Sequence, residues 1–330
     1  MTGDGALLAV RDLSVGIDGP GGVLRPVEGV SFELCAGETL GLVGESGCGK
    51  TVTALALLGL LPRPGGFFAG GSIRLEGREL VGAGEAELAR LRGRRVAAVF
   101  QDPSASLNPY LTLGEQLAEG PMHHLGLSRR EALARAEALL ARVGVPDAGA
   151  RLRVHPHALS GGQRQRAMIA MALACEPALL VADEPTTALD VTLQAQILEL
   201  LRALRAERGL AVLLVSHDLG VVAELCDRLL VLYAGRVVES GPTPEILARP
   251  AHPYTAALLR ALPRLEGPTA PRLEALPGLP PGLDAPAPDA CRFAPRCALV
   301  RDACLRGEPP LVPFAPRRAR RCVAPVEEVR

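Results

Sequence analysis

The stretch ETLGLVGESGCGKTVTALALLGLL, residues 38–61, passes from a short apolar segment through a glycine-rich turn into an apolar run of helical character. Strand, tight turn and helix in that order form the setting in which a glycine turn can wrap phosphate. The spacing GxxxxGK(S/T) is met by Gly44, Gly49, Lys50 and Thr51. Glycines let successive backbone N–H groups point inward, and the following helix adds its positive N-terminal end. Lys50 supplies a compact, mobile ammonium for the outer phosphates, and the Thr51 hydroxyl suits Mg2+. Lys50 is the only lysine among 36 Lys and Arg residues. The arginine excess is a compositional bias, and a planar guanidinium is too wide for a narrow ring of backbone donors, so lysine persists where its shape is needed.

The chain has 330 residues, room for two domains at roughly 100–200 residues each. Its 48% hydrophobic and 22% charged residues specify a packed core rather than disorder. Thirty-six acidic and 36 basic residues cancel, which removes the net-charge argument for nucleic acid or an anionic membrane as partner. The apolar runs TALALLGLL (53–61) and AMIAMALAC (167–175) fall short of the roughly 18 residues that cross a bilayer. MTGDGALLAV has no basic region ahead of an apolar stretch, so a cytoplasmic protein with mostly reduced thiols is expected. Fifteen of the 29 prolines and four of the eight cysteines fall in residues 251–330. A boundary near 250 therefore separates a regular domain, 1–250, from a loop-rich appendage, 251–330.

Three further apolar runs end in polar groups. RVAAVFQDP (95–103) delivers Gln101, PALLVADEP (177–185) delivers Asp183 and Glu184, and LAVLLVSHD (210–218) delivers His217. Read as strands, they bring these side chains to one edge of an α/β sheet, where ligands collect. A strand-end acidic pair suits hydrolysis: Asp183 can hold the magnesium shell while Glu184 orients and deprotonates water. Taken alone, such a pair is as well read as a solvated strand end. HALSGGQRQRAMIAMAL (157–173) places Ser160, Gly161 and Gly162 before a helical run, a second helix tip shaped for an anion. One nucleotide does not easily occupy both tips within one compact domain, so a head-to-tail pair of domains, each completing the other's site, is the geometry expected. Ser128 and Glu131 stand in capping-box spacing at the head of another helical run, SRREALARAEALLARVG (128–144).

Together these stretches resemble the ATPase subunit of ABC transporters. GESGCGKT resembles the family's Walker A loop, VFQDP its Q-loop, LSGGQ its signature, LLVADE its Walker B segment, ALD (188–190) its D-loop and VSHD its switch histidine. The resemblance implies an α/β fold: a P-loop (RecA-like) core with an antiparallel β-subdomain and a helical subdomain at about 103–172, followed here by the cysteine-containing extension. It implies ATP bound along Gly44, Glu45, Ser46, Gly47, Cys48, Gly49, Lys50, Thr51 and Val52, with Thr51, Gln101 and Asp183 around Mg2+. Glu184 would be the general base and His217 would contact the γ-phosphate. Ser160, Gly161, Gly162 and Gln163, with Asp190 of the D-loop, would close over ATP bound to a partner subunit. The family usually stacks an aromatic ring on adenine; LSVGIDG (13–19) offers Ile17 there, an aliphatic contact that lacks the roughly 1 kcal/mol of stacking. Cys48 stands where serine is common, either as a small residue the turn tolerates or as a thiol tuned by a helix N-terminus for redox switching.

The flanks GESGCGKTVTALALLGLLP, VFQDPSASLNPYLTLGEQLAE, RQRAMIAMALACEPALLVADEPTTALDVTLQAQIL and HPYTAALLRALP resemble the dipeptide/oligopeptide importer subfamily, which includes nickel importers. That resemblance implies a cytoplasmic-face peripheral ATPase working with a second, non-identical ATPase, two membrane permease subunits and an extracytoplasmic binding protein. A non-transport ABC ATPase of DNA repair or translation is the alternative, but the long coiled coil or doubled cassette of such proteins is not in this sequence. In the tail, Cys291, Cys297, Cys304 and Cys322 follow C-x5-C-x6-C-x17-C. Spacing alone leaves a metal site and buried thiols open, zinc included. CRFAPRC resembles the subfamily's tail, and this resemblance implies a 4Fe-4S cluster that folds the proline-rich segment, its charge offset by nearby arginines such as Arg292 and Arg296.

Overall fold

The computed structural model of the protein describes residues 5–186, 189–261, 276–282 and 290–329. The strands and helices begin with β1 (Ala6–Gly19), β2 (Gly22–Cys35), β3 (Thr39–Val43), α1 (Lys50–Leu57), β4 (Gly66–Leu75) and β5 (Arg78–Glu79). Next come α2 (Glu85–Leu91), β6 (Val96–Val99), α3 (Pro103–Ser106), α4 (Leu113–Leu125), α5 (Arg129–Arg142), α6 (Ala148–Arg151) and α7 (Gly161–Leu173). Then follow β7 (Leu179–Asp183), α8 (Val191–Arg208), β8 (Ala211–Val215), α9 (Leu219–Leu225), β9 (Arg228–Tyr233), β10 (Arg236–Pro242), α10 (Thr243–Ala248) and α11 (Pro253–Arg260). The tail adds α12 (Asp302–Leu305), β11 (Val312–Ala315) and β12 (Arg318–Arg320). The chain divides into two compact units. The first comprises Met1–Leu8, Glu33–Thr39 and Arg74–Val215, the second Ala9–Phe32, Leu40–Ile73 and Ser216–Arg330.

In the first unit β6, β7 and β8 run parallel, with Val99 opposite Ala182 and Asp183 opposite Val215. Every residue of β7 and β8 is buried. Strands covered on both faces have no side to leave polar, which is why LLVAD and AVLLV read as near-continuous apolar runs. Because the three strands point one way, the residues that follow them, Gln101 and Glu184 among them, emerge at a common edge together with Asp183. Helices α4, α5 and α7 pack against one another. Capping boxes start α4 (Thr112 with Glu115) and α5 (Ser128 with Glu131), each side chain satisfying the other residue's backbone N–H.

In the second unit β2, β1 and β4 lie side by side. Strands β3 and β9 are parallel, with Val43 opposite Val231, and β9 returns antiparallel as β10. The tail continues this sheet: Glu239 and Ser240 of β10 pair with Arg320 and Ala319 of β12, which in turn pairs with β11. A buried ion pair pins the addition. Arg318 reaches Glu239 at 2.9 Å, with side-chain exposures of 7% and 0%. The carboxylate also accepts the N–H groups of Ala251 and His252 at 2.8 and 3.0 Å, and Arg318 donates to the Arg249 carbonyl at 2.7 Å.

A buried pair contributes little over an apolar pair of equal size, but removing one partner strands the other charge. Glu239→Ala is expected to lower unfolding free energy by about 3–5 kcal/mol in denaturant titration. Glu239→Ala combined with Arg318→Met should recover a large part of that loss.

Candidate functional site

The second unit carries the glycine turn at the carboxyl end of β3. Gly44 and Gly49 have φ of 152° and 104°. A Cβ at Gly44 would lie 2.3 Å from the Leu232 carbonyl oxygen, and one at Gly49 would lie 2.2 Å from that of Pro26. Both positions therefore demand glycine on two independent grounds, backbone angle and space. Helix α1 has no side-chain cap and no acidic residue in its first turn, so its first N–H groups are left for an anion. Lys50 is buried, and its Nζ donates to the carbonyls of Gly44 at 2.7 Å and Glu45 at 2.8 Å, closing the turn on itself. Ser46, Gly47 and Thr51 are exposed and Val52 is half-buried. Thr51 thus presents a hydroxyl suited to Mg2+ beside the turn. Cys48 is buried, and burial pushes its thiol up against the pull of Lys50, so the structure favours the inert small residue over a redox thiol.

The first unit carries the acidic edge. Asp183 ends β7 and is buried. Glu184 follows with φ of 51°, a left-handed turn held by its N–H on the Val215 carbonyl at 2.9 Å. Its carboxylate accepts a hydrogen bond from Gln101 Nε2 at 3.0 Å, so the two residues singled out in separate strands meet side chain to side chain. Ser160 N-caps α7 in a capping box: Ser160 Oγ accepts the Gln163 N–H at 3.2 Å and Gln163 Oε1 accepts the Ser160 N–H at 3.1 Å. A Cβ on Gly161 would meet nothing within 4 Å, so space beside the helix tip is open. Asp190 N-caps α8 through the Leu193 N–H at 2.9 Å, while Ala188 of the D-loop lies outside the described residues. In the second unit, Ile17 is half-buried in β1, and His217 is exposed two residues beyond the end of β8.

Tail residues that no local pattern singles out touch the glycine turn. The Glu45 N–H donates to Tyr254 Oη at 2.7 Å, and Arg296 grips the Glu45 carboxylate at 2.6 and 2.9 Å. Phe293, buried, meets Tyr233, Tyr254 and His252 with ring centroids 5.2, 5.4 and 5.8 Å away. Arg292 donates to the Ala234 carbonyl and to Glu28, which Arg236 also holds. The signal for these contacts was faint in the sequence, an arginine in CRFAPRC and a tyrosine in HPYTAALL.

The four tail cysteines line one cavity of about 10 Å3 with His252, Phe293 and Pro309, room for no more than a single water. Burial pushes the Cys291 thiol up to about 12 and raises Cys297 and Cys322 as well, keeping them protonated. The Leu299 and Ala324 N–H groups donate to the sulfurs of Cys297 and Cys322 at 3.3 and 3.4 Å. Among the described residues, no three or more His, Cys, Asp or Glu side chains are placed to hold a metal ion. The expected 4Fe-4S cluster, and zinc in its stead, are therefore corrected: the four are free thiols, Cys304 buried and Cys291, Cys297 and Cys322 half-buried. The β12 edge pairing, Arg318 on Glu239 and Arg296 on Glu45 hold the tail, the task that the resemblance assigns to a cluster.

A glycine turn with its lysine, an acidic strand edge and a second, capped helix tip define a phosphate-loop nucleotide hydrolase. Residues 27–187 match the ABC transporter family and residues 238–304 the oligopeptide/dipeptide transporter C-terminal region. The oligopeptide transport ATP-binding protein OppD of Salmonella typhimurium is 49% identical over 323 residues, covering 98% of this chain and 95% of that protein. OppD of Escherichia coli is also 49% identical, over 326 residues with the same shares covered. A putative peptide import ATP-binding protein of Brucella melitensis is 50% identical, covering 90% of each chain. Among solved structures, the ATP-binding cassette MJ0796, a dimer with ADP and Pi, superposes with a TM-score of 0.66 at 26% identity, covering 72% of this chain and 98% of that one. The chain belongs to the ABC transporter family, as an ATP-binding, ATP-hydrolysing subunit.

Two outcomes follow from this geometry. Gly49→Ala sets a Cβ into the Pro26 carbonyl, so equilibrium binding of ATP should be lost. His252 accepts the Tyr254 N–H at 3.1 Å, and burial pushes its pKa down to about 3. An unfolded histidine titrates near 6.5, so the unfolded chain takes up a proton first and stability falls as pH drops from about 6.5 toward 3, by at most about 1.4 kcal/mol per unit. Melting midpoints between pH 7 and 5 should fall less steeply in His252→Asn than in wild type.

Proposed function

We propose that this protein is the ATPase subunit of an importer of dipeptides and oligopeptides, hydrolysing Mg-ATP on the cytoplasmic side of the membrane. The observation that carries this reading is likeness over almost the whole chain, tail included, to proteins named for oligopeptide transport. Among the described residues no helix is long and apolar enough to cross a membrane, which accords with a subunit that acts on separate permeases. We assign residues 1–250 to the ATPase domain, with a helical subdomain at about 103–172, and 251–330 to the transporter-type extension.

Ser46 to Val52 receive the phosphates, where Lys50 exchanges the carbonyls it now holds for phosphate oxygens. Thr51, Gln101 and Asp183 would hold magnesium, which would supply neutralisation of the phosphate charge. Glu184, steadied by Gln101, takes the proton of the attacking water as that water bonds to the γ-phosphorus and the bond to ADP breaks. His217 contacts the γ-phosphate, and Ile17 packs on adenine. Ser160 to Gln163 and Asp190 close over the nucleotide of a second, non-identical ATPase. Two permease subunits and an extracytoplasmic binding protein complete the assembly, and cargo is chosen by those chains. Nucleic acid has no part in this reading.

In the reconstituted assembly, Glu184→Gln is expected to retain ATP while phosphate release drops by about 10²–10⁴-fold. Wild-type turnover in that variant would remove Glu184 from the base role. Peptide with its binding protein should accelerate ATP hydrolysis in the wild-type assembly, and a rate indifferent to peptide would overturn the import reading.

A further inference from the structure

The second residue of the glycine turn is a carboxylate, an unexpected charge in a loop built for a triphosphate. Glu45 is held at all of its polar positions. Its N–H donates to Tyr254 Oη at 2.7 Å, its carbonyl accepts Lys50 Nζ at 2.8 Å, and both carboxylate oxygens accept the Arg296 fork at 2.6 and 2.9 Å. The Arg296 side chain is only 4% exposed, and that of Glu45 24%. Arg296 is itself fixed: its Nε donates to the Pro277 carbonyl at 2.8 Å, and its guanidinium stands 5.8 Å from the Tyr233 ring centroid. Beside this pair, Glu45 to Cys48 line a cavity of about 220 Å3 with Tyr233, Ala234 and Pro280 to Gly282. A tail arginine 251 residues away thus reaches into the phosphate loop.

We propose that Arg296 is a positioning residue for nucleotide binding: it cancels the Glu45 charge within the phosphate loop and braces the loop in the shape that receives ATP. A bidentate fork fixes orientation as well as charge, which an ammonium cannot do. The C-terminal extension is by this account part of the nucleotide site. The inference rests on the glycine turn being the phosphate cradle.

The test uses the assembled transporter, with KM and kcat for ATP and equilibrium binding of a fluorescent ATP analogue. Arg296→Ala should raise KM about tenfold with kcat within about twofold, the signature of lost uniform binding. Adding Glu45→Gln to Arg296→Ala removes the uncancelled carboxylate and should return KM to within about threefold of wild type. A purely structural anchor would lower the melting midpoint and would not be rescued this way. Wild-type KM in Arg296→Ala, or a double variant as weak as the single one, overturns the proposal. If Arg296→Ala does not fold, Arg296→Lys carries the test: charge kept and fork lost, KM should rise about threefold, and an unchanged KM overturns the brace. Lys50→Ala separates the two readings. Wild-type ATP binding in Lys50→Ala removes the cradle itself, whereas lost binding there beside normal binding in Arg296→Ala removes the brace alone.

Discussion

The crowding of the glycine turn between two carbonyl oxygens sets the terms for the second unit. With the Leu232 carbonyl against Gly44 and the Pro26 carbonyl against Gly49, no side chain fits at either end of the loop. Strand β9, which carries Leu232, pairs with β3 up to Val231, and Gly235 ties β2 to the loop, its N–H on the Cys48 carbonyl and its carbonyl accepting the Glu28 N–H, both at 2.9 Å. The concavity is thus prepared by sheet geometry before any ligand arrives. Lys50 bonds the loop's own carbonyls, which keeps a buried ammonium satisfied.

The arginine excess acquires a structural meaning alongside the single lysine. Around the tail, arginines pair with carboxylates far away in sequence: Arg292 and Arg236 with Glu28, Arg296 with Glu45, Arg318 with Glu239. A planar fork suits such buried or half-buried carboxylates, whereas the phosphate loop needs a narrow, mobile donor. These pairs, with the aromatic contacts of Phe293 and the β12 edge pairing, make the described residues of the tail from 290 to 329 an integral part of the unit that holds the loop. The cysteines cluster as thiols that line one small cavity together with Phe293.

Much of the local structure around the candidate site was legible in the sequence because its parts are local. Each motif sits where a strand ends or a helix begins, so a few consecutive residues specify both the conformation and the chemistry. The buried runs before Asp183 and after Leu210 announced parallel strands, and the structure has them. The capping signal S-R-R-E at 128–131 was legible too, and the structure adds a second box of the same spacing, T-L-G-E at 112–115. The tail misled for the opposite reason. Four cysteines at irregular spacing leave a metal site and buried thiols open, and it is the likeness of CRFAPRC to the subfamily's tail that implies a cluster, which the placement of the thiols overturns.

By itself the sequence determined the glycine turn between strand and helix, the strand-end acids, the helix that begins at Ser160 and membership of an ATPase family, because backbone hydrogen bonding and glycine conformation act over a handful of neighbouring residues. Only the tertiary structure decided that Gln101 meets Glu184, that β12 extends the sheet of β10, and that Arg296 reaches Glu45. Those contacts join residues separated by tens to hundreds of positions. Their existence depends on how whole elements pack, a property that no short stretch of chain encodes.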